Sequence, residues 1–257
     1  MREFLFVCLT SFIIGCSGAG SGSAIANSIP EREKIDFYES IMDIPTPAGY
    51  QRENYTQGSF GFWLRRLPLK KNKTVYLYNG SLKQNQSAQF AVLDISTGKK
   101  DLQQCADVVM RLRAEYLFAE KKFDSISFID FALRKYQWSG GNNRQQFNSY
   151  LENVFGYCGS ASLEKQLKPV IEFGTMQVGD VLIKGGFPGH AVIVADMAIN
   201  EKGEKVYMLV QGYQPAQDMH ILVNPVNNEL SPWYELNDLF LILTPEWKFN
   251  KQQLKRW

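Results

Sequence analysis

Apolar and polar positions follow different periods in different parts of this chain, and the changes of period divide it. The first segment is almost unbroken apolar sequence from Phe4 to Ile14, softened only by Cys8, Thr10 and Ser11. At about eleven residues it falls well short of the roughly 20 that a membrane-spanning helix requires. Behind Met1-Arg2-Glu3 it reads as the apolar core of a secretory signal. Ser17 to Ala24 is a Gly/Ser tether with too little apolar bulk to fold.

Folding segments follow. Residues 31–43 read as a short helix or extended arm, and Ser59 to Leu67 as an amphipathic helix ended by Pro68. Val75-Tyr76-Leu77-Tyr78 before Asn79-Gly80 reads as strand and turn, and Gln89 to Ile95 as a second strand. Between Asp101 and Leu117 the spacing changes: Leu102, Cys105, Val109, Leu112 and Tyr116 fall on one helix face, with Asp101 as the expected N-cap. Residues 119–170 are expected to add further helix around a Gly140-Gly141 loop. Beyond them, short apolar runs predict strands over 178–183, 190–197, 206–211, 219–223 and 239–243. Short connections between them imply an antiparallel meander, so helix followed by sheet gives an α+β fold.

Hydrophobic residues make up 45% of the chain and aromatic residues 13%, enough for a substantial core. The expected organisation is a signal peptide over 1–15, a tether over 16–30 and one globular domain over 31–257, with 119–170 as a helical insertion. A formal net charge of +2, with no basic run beyond Lys70-Lys71 and Lys73, gives no footprint for nucleic-acid binding.

The apolar run ends Ile13-Ile14-Gly15-Cys16, which resembles the lipobox of bacterial lipoproteins. That resemblance implies cleavage before Cys16 and a lipid on its thiol, hence an envelope protein held to the membrane by its N-terminal lipid. Ser17 after the cysteine implies the outer rather than the inner membrane. The alternative is an ordinary cleaved signal containing a chance cysteine. Cys8 leaves with the signal, so the mature domain keeps Cys105 and Cys158. Outside the cytoplasm two cysteines are also a candidate disulfide.

The chain has two histidines, His190 and His220. His190 begins an apolar run behind Gly185-Gly186-Phe187-Pro188-Gly189, and Gly179-Asp180-Val181-Leu182-Ile183 lies just upstream. This Gly-Asp-strand, turn, Gly-His-strand pattern resembles papain-like hydrolases of the NlpC and CHAP type. The resemblance implies a nucleophilic Cys opening a helix, a His base on the second core strand, and a polar residue on the next strand. Cys105, His190 and Gln211 occupy those places in order, with a longer gap between Cys105 and His190 than in compact members. A helix N-terminus and a nearby imidazolium favour thiolate, a carboxamide fixes the imidazole tautomer, and backbone N–H groups at the helix start suit an oxyanion.

Each of these residues also has a plainer reading. Cys105 is a buried thiol or a partner of Cys158, and Cys158, ahead of an expected helix over 161–167, is a rival nucleophile. His190 and His220 are structural, and Asp196 or Gln214 takes the place of Gln211. Asp107, Asp180 and Glu115 serve as capping, turn and surface groups, Arg111 and Arg113 as ion-paired or solvated ones. Trp63, Trp138, Trp233 and Trp247 belong to the core rather than to a carbohydrate groove. No His or Cys pair has ligand spacing, so neither metal nor cofactor is expected.

Over roughly residues 40–250 the chain also resembles a bacterial family described only as a domain of unknown function. The residues carrying that likeness are Val75–Gly80, the helix from Asp101, the Gly179–Asp196 stretch, Gln214–Asp218 and Ser231–Tyr234. The functional expectation is an exported lipoprotein acting as a cysteine amidase or peptidase on envelope peptides, with cell-wall peptide as substrate by family analogy. The alternative is a catalytically inactive ligand-binding or structural lipoprotein on the same fold.

Overall fold

The residues from His190 to Asn200 form the longest strand among the described residues, and both of its faces are buried, which is why its sequence is apolar at nearly every position from Ala191 to Ile199 rather than alternating. The computed structural model describes residues 37–257; the expected signal, tether and Cys16 lie outside the described residues. Among the described residues no helix is long and apolar enough to cross a membrane.

Among the described residues there are four α-helices: α1 (Phe60–Leu64), α2 (Cys105–Ala119), α3 (Arg144–Tyr157) and α4 (Ser160–Gln166). The strands before the central meander are β1 (Tyr50–Arg52), β2 (Gln89–Val92), β3 (Ser127–Ile129), β4 (Lys135–Gln137) and β5 (Lys168–Pro169). The meander is β6 (Val181–Lys184), β7 (His190–Asn200), β8 (Lys205–Gln211) and β9 (His220–Leu222). After it come β10 (Tyr234–Glu235), β11 (Leu241–Leu243), β12 (Lys248–Asn250) and β13 (Leu254–Arg256).

The main sheet runs β2-β9-β8-β7-β6-β13-β5, with β1 also on β7 and β10 on β8, and its pairings are antiparallel. The meander therefore forms as its short connections imply. The protein is α+β with a mostly antiparallel sheet.

Side chains alternate across β7. Ala191, Ile193 and Ala195 join the core under α2, while Val192, Val194 and Met197 join a second core with Leu182, Tyr207, Leu209 and Phe249. The pairing with β8 slips between Val194 and Asp196, a bulge. There Asp196, fully buried, meets Arg52 Nε at 2.6 Å and Arg65 Nη2 at 2.5 Å. It is a structural ion cluster and no partner of His190.

Several expected elements differ. Asp101 does not cap α2: Gln104 precedes the helix, and its N–H donates to Asp107 Oδ2 at 3.0 Å. Asp101 Oδ1 instead accepts from Ala216 N at 2.7 Å. The 75–78 segment makes isolated bridges, Tyr76 to Leu82 and Leu77 to Gln217, in place of a strand. The 239–243 strand shortens to β11 and pairs with β12 in a separate hairpin. Within 119–170, α3 and α4 are accompanied by the β3–β4 hairpin, so the insertion is only partly helical.

Asp180 is a turn group and also a tie between strands, since it accepts from Gln177 N at 2.9 Å and from Arg256 Nε at 2.6 Å. The Gly-Asp motif thereby fastens the start of β6 to the last strand.

Candidate functional site

The start of α2, the start of β7 and the end of β8 converge. Gly212, directly after β8, makes this approach feasible: a Cβ there would lie 2.5 Å from Val108 Cγ2 and 3.1 Å from the Gln104 carbonyl oxygen. Gln104 immediately precedes Cys105, so the β8 end abuts the turn that carries the thiol. The backbone N–H groups of Ala106, Ala191 and Cys105 itself lie close enough to the Cys105 sulfur to favour its ionised form. The Ala191 amide is the peptide link that follows His190.

His190 opens β7 on the side of Val192, and its ring lies 4.9 Å from Tyr213, 5.3 Å from Trp247 and 5.8 Å from Phe249. Its Nε2 is 3.0 Å from Gln211 Oε1. Which nitrogen carries the proton follows from the next layer. Gln211 Nε2 lies 3.1 Å from His220 Nε2 and 2.8 Å from Glu246 Oε2. A carboxylate only accepts, so this end of the carboxamide is its NH2 and Oε1 faces His190. His190 must then donate from Nε2, which leaves Nδ1 with the lone pair.

His220 agrees with this assignment: its Nδ1 is 2.9 Å from the Asp218 carbonyl, to which it donates, and its Nε2 accepts from Gln211. Glu246 is held in turn by Lys83 Nζ at 2.7 Å and Asn85 Nδ2 at 3.1 Å. A chain of defined donors and acceptors thus runs from Lys83 through Glu246 and Gln211 to His190.

Burial governs the protonation of this site. It pushes the Cys105 thiol up to about 11, with the Asp107 carboxylate adding to the rise and the three backbone N–H groups opposing it. It pushes His190 down to about 4 against the opposing pull of the Gln211 hydrogen bond and Glu246. Neutral thiol and neutral imidazole are therefore the resting forms, in place of the thiolate and imidazolium expected at a helix start, because burial outweighs the favourable N–H groups. Burial also raises the Asp107 carboxyl well above the ordinary range. The Tyr213 hydroxyl is raised by burial first, then by Glu246 and by Cys105.

Of the residues expected at the site, His190 and Gln211 are joined directly. Cys105 lies near the backbone N–H of Ala191, the residue after His190, and among the described residues no hydrogen bond links its sulfur to the imidazole. Cys105 and Cys158 are both free thiols, so they do not form a disulfide. Cys158 ends α3 in the core, pushed up to about 12 by burial, then by Asp130 and Asp107. Gln214 is exposed, and His220 is completely buried. Trp138 and Trp233 are core residues.

Glu246, Lys83, Asn85 and Tyr213 carry no sequence signal that marks them for the site. Glu246 and Lys83 come from distant segments of mixed polarity, and no spacing connects them to His190.

The fold and site thus define an α+β domain with a cysteine at the start of a helix and a strand-opening histidine held by a carboxamide. The chain matches the family described as a domain of unknown function (DUF4846) over residues 41–139 and 132–256, and it belongs to that family. No curated protein and no solved structure matches it.

Proposed function

We propose that this protein is a cysteine amidase or peptidase of the cell envelope, with Cys105 as nucleophile, His190 as base and Gln211 as the group that orients the base. The observation that carries this reading is the fixed tautomer of His190. A carboxamide whose own orientation is set by Glu246 and His220 presents its oxygen to Nε2. Any buried imidazole needs an acceptor for its N–H; what suits a base is that Nδ1 keeps its lone pair, with no hydrogen bond to it among the described residues.

In the proposed reaction Nδ1 of His190 takes the Cys105 proton as the sulfur attacks an amide carbonyl carbon. The tetrahedral oxyanion collapses to a thioester when Nδ1 returns that proton to the leaving nitrogen. Water then attacks the thioester, giving one proton to His190 and from there back to the sulfur, and the carboxylic acid departs. With both groups neutral at rest no thiolate–imidazolium pair is preformed, so the proton must leave the sulfur in the attack itself.

Treatment with p-nitrophenyl acetate tests the nucleophile. The expected result is one acetyl group on Cys105, found by peptide mass mapping and lost to water on standing, and none there in Cys105→Ala. Acetylation confined to lysines would remove the proposal. A second reading, a binding domain without catalysis, draws on the missing hydrogen bond between sulfur and imidazole, and it predicts that second outcome.

The membrane anchor belongs to the same proposal and rests on the Ile14-Gly15-Cys16 sequence. Labelled fatty acid should enter the protein in a bacterial host and fail to enter Cys16→Ala. Equal labelling of both would rule the anchor out. Outer-membrane placement and a cell-wall peptide substrate follow from sequence pattern and family analogy.

A further inference from the structure

Just ahead of Cys105, the loop over 96–100, the residues leading into α2 and one side of α3 enclose a cavity of about 140 Å³. It is small, with room for a few carbon atoms and a terminal polar group rather than for a sugar or a nucleotide. Leu102, Leu151 and Phe155 give it apolar wall, and its charged lining comprises Lys99, Lys100 and Arg111 against one carboxylate, Glu152. Lys100 pairs with Glu152 at 2.7 Å and Arg111 Nε with Glu115 at 3.0 Å, which leaves Lys99 as the lining cation without an ion pair among the described residues.

The second observation is a buried donor with nothing to bind. Gln103 is 1% exposed, and its Oε1 accepts from Arg111 Nη1 at 2.8 Å, which fixes the carboxamide orientation. Its Nε2 is buried without a hydrogen-bond partner. An unmet buried N–H costs about 1–3 kcal/mol, so such a group calls for an acceptor. Arg111 Nη2 and Lys99 Nζ also make no hydrogen bond among the described residues. Lys99, Arg111 and, just behind the accessible wall, the Gln103 NH2 bring three groups able only to donate to one small apolar-walled cavity.

We infer that this cavity binds a carboxylate on a short aliphatic stem, with Gln103, Arg111 and Lys99 as its donors. Gln103 precedes Cys105 by two residues, so their Cα atoms lie within about 7 Å of one another. A bound carboxylate therefore sits beside the turn that carries the thiol. Assigning it to an acidic or carboxyl-terminal residue of a peptide substrate rests on the hydrolase reading, whereas the carboxylate site stands without it. α3 supplies one wall, which gives the 119–170 insertion a part in recognition.

Titration of Cys105→Ala protein with glutarate and with uncharged glutaramide, followed by amide NMR, separates the two questions because no catalysis is involved. Saturable glutarate binding is expected, with the Gln103 side-chain NH2 signal among those that move. Affinity should fall about tenfold in Arg111→Gln, roughly one lost charge-assisted contact, and also in Lys99→Gln, an exposed position where folding is not at stake. Glutaramide should leave the spectrum unchanged. Absence of saturation, equal binding of glutaramide, or glutarate binding indifferent to Lys99→Gln would overturn the inference, whatever Cys105 does in the acetylation assay.

Discussion

Acidification from pH 7 to pH 4 is expected to destabilise this fold by about 6 kcal/mol, about 3 from each of its two histidines. Burial pushes both His190 and His220 from the ordinary 6.5 down to about 4, so the folded state holds them neutral. Above pH 6.5 neither folded nor unfolded chain protonates them, and the stability is whole. Between about pH 6.5 and 4 the unfolded chain takes up protons that the folded chain refuses, and stability falls by about 1.4 kcal/mol per histidine per pH unit. Below about 4 both states are protonated and the loss is complete.

Glu246, whose ion pair with Lys83 holds its carboxyl low despite burial, adds to the acid loss. Asp107 acts the other way, because its raised carboxyl gains a proton more readily folded than unfolded. Domains of this kind are stable by about 5–15 kcal/mol, so a loss of this size brings unfolding within reach. Urea titrations at pH 7, 5.5 and 4.5, read by tryptophan fluorescence, check it. A midpoint that stays constant over that range would mean that the histidines are charged in the folded protein.

The same burial explains what could be read from sequence and what could not. α2 and the meander are legible because their contacts are periodic: a helix face every three to four residues, and strands apolar throughout because both sides of the sheet are covered. The helix face is wider than its 3-4 spacing suggests. Val108, Met110, Ala114 and Phe118 are buried too, because α1 and α4 also pack on α2 and Phe147 of α3 lies tilted against Phe118 with ring centroids 4.3 Å apart.

Cys105, His190 and Gln211 were legible by order and by their positions at element ends. The layer behind them was not. Glu246 meets Gln211 from the turn before β12, Lys83 meets Glu246 from a loop near β2, and His220 meets Gln211 across the β8–β9 pairing, where it lies opposite. Only the folded sheet brings these together. The Asp101 N-cap failed for a similar reason, since the Ala216 N–H, far along the chain, takes its carboxylate. The C-terminal strand β13, inserted beside β6 and bound to Asp180 through Arg256, likewise carries no local signal of its place.

Catalysis of the proposed kind requires that His190 serve Cys105 as its base, and the pH dependence of Cys105 alkylation by iodoacetamide tests this most directly. With the imidazole at about 4 and the thiol at about 11, the reactive pair is neutral thiol beside neutral imidazole across the whole range between. The wild-type rate constant should therefore be nearly flat from pH 6 to pH 9. In His190→Ala only the ionised thiol reacts, so the rate should climb about tenfold per pH unit and fall about a hundredfold or more below wild type at pH 7. A wild-type rate that climbs about tenfold per unit, and that His190→Ala leaves unchanged, would identify Cys105 as an unassisted buried thiol and contradict the role given to His190.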